Sequence, residues 1–142
     1  MRCAVMYGRG DLRVEEWEVP SLGPSDVLIR VSACGICHTD IPRVFGSYPI
    51  PDLPFILGHE YSGVVVEVGQ MVATVRPGDR VTVRPYLDCG RCSFCRRGLD
   101  YLCVNKRALH GGFAQYTVKP EELVYKLPDG VSDLAGSNSE PV

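Results

Sequence analysis

Four cysteines, Cys89, Cys92, Cys95 and Cys103, fall in one short stretch of this 142-residue chain. Three recur at every third position, so a tight turn can aim their sulfurs at one centre. The fourth returns after a short loop and can close a tetrahedron. Four thiolates around one point suit Zn²⁺, which has no redox chemistry and no d-electron demand on geometry. A closed sulfur shell leaves no position for water, so such a site braces a loop and performs no reaction. Disulfides fit this spacing poorly, because adjacent bridges need a separation and orientation that it does not offer. The total of seven cysteines is odd. The stretch Met1 to Arg9 has no apolar run of signal-peptide length, so a cytoplasmic location with reduced thiols is expected. An iron–sulfur cluster is the other reading of the first three cysteines. The last gap is longer, however, and Val104 stands where the bacterial ferredoxin run carries proline.

A second set of metal-ligating residue types is scattered along the chain. Cys34-Gly35-Ile36-Cys37-His38-Thr39-Asp40 comes first, then Gly58-His59-Glu60, and near the end Ser139-Glu140-Pro141. A catalytic zinc takes three protein ligands of mixed type and keeps one position open. Cys37, His59 and a carboxylate from Glu60 or Glu140 satisfy that count. Spacing alone does not join them. Singly, Cys37 reads equally well as a small buried hydrophobe, and His59 as a hydrogen-bonded residue at a strand start.

The elements that must position these residues are short and mostly extended. Fifteen glycines and eleven prolines punctuate the chain too often for long helices. Strands are expected at Cys3–Tyr7 and Leu12–Trp17 around a Gly8-Arg9-Gly10-Asp11 hairpin turn, then at Val27–Ala33 and Glu60–Val68, the last reading as buried. Arg80–Arg84, Phe113–Val118 and Leu123–Leu127 follow, and Ser132 reads as the cap of a helix. Pro42 to Pro54 reads as a surface loop. Many short strands around one cross-braced loop imply a compact, barrel-like β domain. A net charge of −2 without long charge runs, and a hydrophobic share of 45%, point to neither a nucleic-acid groove nor a membrane surface.

Gly35-Ile36-Cys37-His38-Thr39-Asp40, Gly58-His59-Glu60-Tyr61-Ser62-Gly63, Pro77-Gly78-Asp79-Arg80-Val81, the four cysteines and Gly111-Gly112-Phe113-Ala114-Gln115-Tyr116 occur in one order. In these motifs residues 1–142 resemble the N-terminal, GroES-like catalytic domain of the zinc-containing medium-chain alcohol dehydrogenases. Glu140-Pro141 is similar to the polyol (sorbitol) branch, and Asp40-Ile41-Pro42-Arg43 to galactitol-phosphate dehydrogenases. The resemblance implies a mainly β GroES-like barrel with short helices and a zinc-braced loop. It implies one structural zinc on Cys89, Cys92, Cys95 and Cys103, and one catalytic zinc on Cys37, His59 and Glu140 with Glu60 adjacent. Thr39 is implied as the hydroxyl that contacts the substrate oxygen and relays its proton, and His38 as a contact to the cofactor's pyrophosphate. Pro42 stands where many members carry a relay histidine. Arg43 is implied as a partner for an anionic substrate group, the alternative being a solvated loop arginine.

The implied activity is reversible oxidation of a secondary alcohol or polyol with NAD or NADP, in a homo-oligomer when the protein is full length. The family's Rossmann domain has no counterpart in this sequence, so the chain is expected to be a fragment that is inactive alone. A free-standing zinc-binding interaction module and a zinc-free quinone-reductase-like domain are the competing readings.

Overall fold

The computed structural model describes residues 1–46, 48–49 and 53–140. Strands β1 (Arg2–Gly8) and β2 (Asp11–Glu16) form the expected hairpin, and Gly10 takes the left-handed φ of 72° that its turn requires. Next come β3 (Asp26–Gly35), α1 (Asp40–Phe45), β4 (Phe55–Ile56), β5 (Glu60–Val68), β6 (Arg80–Val83) and β7 (Tyr86–Leu87). Two 3₁₀ turns inside the cysteine stretch lead to β8 (Arg107–Ala108). After it lie β9 (Tyr116–Pro120), β10 (Val124–Lys126) and α2 (Asp133–Ser137). Ser132 caps α2 as expected, its hydroxyl accepting the Ala135 N–H at 3.1 Å.

The main sheet is antiparallel in the order β10-β6-β5-β3-β9, with a smaller sheet β2-β1-β4 and a two-stranded ribbon β7-β8. Its curl has a local cause. The β3–β5 register shifts between Leu28 and Ile29 and again between Val31 and Ala33, and such irregularities bend and twist a strand. The fold is therefore mainly β, with two short helices and a curled, half-barrel sheet. Val27, Ile29, Tyr61, Val65, Val81 and Val83 fill its inside. Each such side chain contributes about 1.5–3 kcal/mol on burial. Met6, Val44 and Leu57 form a second cluster that seats α1 against the smaller sheet. Among the described residues no helix is long and apolar enough to cross a membrane.

Three expectations need correction. Helix α1 takes Pro42 to Phe45 out of the expected loop. Pro42 is the third helical residue, where its missing N–H would have had no intrahelical acceptor. Ser47, Ile50, Pro51 and Asp52 of the expected loop lie outside the described residues, as does Pro141. Strand β5 is buried from Glu60 to Gly63 and again at Val65, while Val66 is 42% exposed, the alternation of a one-sided strand in its second half. The strand expected at Phe113–Val118 is β9, displaced toward the C-terminus. Phe113 instead donates its N–H to the Leu57 carbonyl at 2.9 Å.

Candidate functional site

Two loops and a strand end deliver the second cysteine set to one place. β3 ends at Gly35, and Cys37 lies in the turn that starts α1. Asp40 fastens this turn, its Oδ2 accepting the Cys37 N–H at 3.1 Å. Opposite, Gly58 turns the chain into β5 with φ +86°, a conformation and a closeness to Phe113 that exclude a side chain. The Gly58 carbonyl accepts both the Gly111 and Gly112 N–H groups, at 3.0 and 2.9 Å. The double glycine is therefore a clip on the segment that carries His59. A Cβ on Gly112 would lie 2.7 Å from the Cys34 sulfur and 2.6 Å from the Tyr61 ring.

The ligand atoms of Cys37, His59 and Glu60 lie within 4.8 Å of one another. His59 and Glu60 are buried and Cys37 is half-buried. Thr39 donates its hydroxyl to the Cys37 sulfur at 3.1 Å. His59 Nδ1 is buried without a hydrogen bond and faces Asp40 Oδ1 at 3.6 Å, which leaves Nε2 as the nitrogen for a ligand bond. Burial pushes the Asp40 carboxyl up, opposed by His59, the Cys37 N–H and Arg43. Room for the Glu60 carboxylate is provided by Gly35, where a Cβ would stand 2.6 Å from Oε2. A thiol, an imidazole and a carboxylate converging in a buried spot are the mixed donors of a zinc site.

Glu140 reaches this region from the end of α2. That helix is pinned by the Arg80–Asp133 ion pair at 2.7 Å and by Ser139 against the Thr82 hydroxyl at 2.9 Å. Glu140 lines a cleft of about 350 Å³ with Thr82, Arg84, Tyr86 and Tyr125. Burial raises its pKa, with His59 opposing and Glu60 adding to the rise. Its carboxylate therefore shares the electrostatic neighbourhood of the cluster, while the three groups within mutual ligand distance are Cys37, His59 and Glu60. His38 is exposed in the turn before α1.

Cys89, Cys92, Cys95 and Cys103 also converge within 4.8 Å, and no disulfide joins any of the seven cysteines. Cys92 and Cys95 sulfurs are 3.4 Å apart, and those of Cys89 and Cys95 4.0 Å. A tetrahedral zinc with Zn–S near 2.3 Å places its sulfurs about 3.8 Å apart, so the four fit that ion. The N–H groups of Arg91 and Cys92 pull the Cys89 thiol down to about 6, whereas burial pushes Cys95 up to about 12. Four close thiols of which one is held protonated are the setting in which a cation stabilises all four thiolates.

Beside the first cluster lie His110, which has no signal in the sequence, and Arg43, which the resemblance had named. His110 meets His59 edge-on at 5.3 Å, and both its ring nitrogens are buried without partners. Burial, and secondly the Arg43 charge, lower its pKa to about 4. Arg43 is half-buried on α1 rather than solvated. A contact pattern of this kind depends on tertiary folding, and no spacing rule could find it.

Residues 23–129 match the Alcohol dehydrogenase GroES-like domain family. An alcohol dehydrogenase of Geobacillus stearothermophilus is 41% identical over 130 residues, covering 87% of this chain and 38% of the relative. A sorbitol dehydrogenase of Halalkalibacterium halodurans is 38% identical over 141 residues, covering 96% of this chain and 41% of the relative. A zinc-binding dehydrogenase from Sinorhizobium meliloti, solved with NADP, superposes with a TM-score of 0.89 at 37% identity, over 96% of this chain and 41% of that one. The chain thus spans about two fifths of the length of the curated relatives it matches. By sequence and by structure, it belongs to the alcohol dehydrogenase GroES-like domain family.

Proposed function

We propose that this chain is the metal-bearing catalytic domain of a zinc-dependent oxidoreductase that interconverts a secondary alcohol or polyol and its ketone with NAD or NADP. The observation that carries this reading is the convergence of Cys37, His59 and Glu60 in a cluster separate from the four cysteines. Names of the relatives, alcohol and sorbitol dehydrogenase, support the substrate class, and the NADP-bound neighbour supports the cofactor. Cys37 and His59 hold the catalytic zinc, with Glu60 and Glu140 as the carboxylates able to complete its shell. The four cysteines hold a structural zinc.

When bound, the catalytic zinc supplies a Lewis acid that lowers the pKa of a hydroxyl, and the nicotinamide supplies the hydride chemistry. The chain's own residues orient and move protons. Thr39, whose hydroxyl lies 3.1 Å from the Cys37 sulfur, contacts the substrate oxygen and relays its proton, passing its own hydroxyl proton on toward solvent as it accepts the substrate's. Asp40 fixes the Cys37 turn and the face of His59. His38, exposed at the rim, contacts the cofactor's pyrophosphate. Glu60 and Glu140 set the charge around the reacting oxygen, and the full-length protein assembles as a homo-oligomer.

Metal analysis of freshly purified chain tests this. Two zinc per chain are expected, falling to one in Cys37→Ser and, independently, to one in Cys89→Ser. A single zinc that survives Cys37→Ser would leave an interaction module braced by its cysteine loop. No zinc at all would favour the quinone-reductase-like alternative.

A further inference from the structure

Lys119 is a buried charge that no carboxylate answers. Across β9 and β3 it pairs with Val27, as Thr117 pairs with Ile29, so both side chains turn toward the apolar inside of the curled sheet. Lys119 is 4% exposed, and of its three N–H groups one donates to the His110 carbonyl. Among the described residues no carboxylate comes within ion-pair distance of it. Its pKa falls to about 8 through burial alone, with no neighbouring charge acting on it, so the ammonium keeps its proton at neutral pH.

Beside this ammonium the fold leaves a cleft of about 340 Å³, with Trp17, Phe55, Ile56 and Leu109 among its walls. That volume and that lining are those of a small-molecule site, mostly apolar with a few placed polar groups. His110 also lines it, packing on the Phe55 ring at 6.0 Å and separating the cleft from His59, which it meets at 5.3 Å. Both His110 ring nitrogens are buried without partners among the described residues, and an imidazole always offers at least one N–H donor. The Met1 ammonium lines the cleft too, but Glu16 answers it at 3.5 Å. Among the described residues no Asp or Glu lines the cleft, and neither does Cys37 or His59.

We infer that this cleft is a second ligand site, separate from the metal cluster, for a small apolar carboxylate whose head group accepts from Lys119 and whose hydrocarbon lies against Trp17, Phe55 and Ile56. The His110 ring is the second polar contact. A carboxylate brings the opposite charge and the acceptors that the buried ammonium lacks. An apolar body removes the facing side chains from water. A polyol suits the cleft poorly, since its hydroxyls would meet Phe55 and Ile56 without partners. The site stands on Lys119 and its cleft, and holds whatever reaction the metal cluster performs.

Calorimetric titration of the zinc-loaded chain with phenylacetate and hexanoate, and with their neutral amides phenylacetamide and hexanamide, tests it. At least one acid is expected to bind about tenfold to a hundredfold more tightly than its own amide, the scale of one charge-assisted contact. Lys119→Met should remove that difference, and so should Lys119→Gln, which can keep a hydrogen bond to the His110 carbonyl. Urea unfolding shows that both variants are folded. Phe55→Ala should weaken acid and amide together and leave their ratio. Cys37→Ser should leave acid binding unchanged, because the site does not use the metal cluster. No binding of either acid, equal binding of acid and amide, or a preference that survives in both Lys119 variants would overturn the inference. A preference lost in Cys37→Ser would overturn it as well, by placing the carboxylate on the metal.

Discussion

Asp40 governs how well the Cys37–His59 cluster can hold an ion, although it is not counted among the ligands. Its two oxygens divide the work, one on the Cys37 N–H and one facing His59 Nδ1. Carboxylates behind a ligating histidine fix its tautomer and orientation, and losing one typically costs about 10–100-fold in metal affinity. Asp40→Asn should therefore weaken cobalt binding at this cluster by that factor in a chelator competition, while the four-cysteine site keeps its affinity. Lys119 gives a second test. It is 4% exposed, and its ammonium donates to the His110 carbonyl. Desolvation lowers its pKa to about 8 from the ordinary 10.5. Below pH 8 both folded and unfolded chains hold the proton, and the fold bears the whole cost of the buried ammonium. Between 8 and 10.5 the unfolded chain holds more protons, so this contribution to stability rises with pH, by roughly 3 kcal/mol in all. Lys119→Met should flatten that rise and add about 2 kcal/mol at pH 7, as read by urea unfolding of the two proteins across this range. Residue types and motif order suggest Cys37, His59 and Glu60 from the sequence. Asp40, Arg43, His110 and Lys119 acquire their character only from burial, which sequence spacing does not report.

Glycines at the element level matter through what lies opposite them. Strand β5 passes β3 at Gly63, where a Cβ would stand 2.3 Å from the Arg30 carbonyl oxygen and 2.7 Å from an Ile29 methyl. Backbone cannot step aside as a side chain can, so Gly63→Ala must spread the central strand pair. A loss of about 2–4 kcal/mol is expected, visible as a lower urea midpoint with an unchanged slope. The same strand pair carries Gly35 and Glu60 at its end, so the substitution also disturbs the metal cluster. Most strands were legible because apolar alternation and turn residues coincide, and β5 has the bounds the sequence suggests. The helix over Asp40–Phe45 was not legible, because a proline so near its start resembles a loop signal. Its stability comes from Val44 packing with Met6 and Leu57, a tertiary contact. The short strands β4, β7 and β8 have two residues each, too few for any period to show.

At the scale of the molecule, the two cysteine groups belong to parts held together by different forces. The curled sheet closes over an apolar cluster, Val27 to Val124, that includes no residue of the stretch from Cys89 to Cys103. That stretch instead has two 3₁₀ turns, neither with a buried residue, and only Cys103 of its cysteines is fully buried. Its attachments are polar: Arg84 spans Asp88 and Asp100 at 3.2 and 2.6 Å, and Leu109 donates to the Pro85 carbonyl at 2.7 Å. Partly exposed ion pairs of this kind contribute about 0–1 kcal/mol each, whereas a structural zinc contributes on the order of 10 kcal/mol to the segment that binds it. The lobe should therefore owe its order to the metal, and the barrel to its core. Removing zinc with a strong chelator at neutral pH should open residues 89–103 while the sheet persists. Limited proteolysis is the sensitive measurement, since the lobe carries Arg91, Arg96 and Arg97 as trypsin sites. Metal-free chain should be cut at these sites at least tenfold faster than zinc-loaded chain, a modest estimate for losing most of the lobe's stabilisation. Far-ultraviolet dichroism should change little. Cys92→Ser should reproduce the rapid cleavage without a chelator, and Cys37→Ser should not. Cooperative loss of the whole β signal on zinc removal would show instead that lobe and barrel fold as one unit, with the metal supporting both.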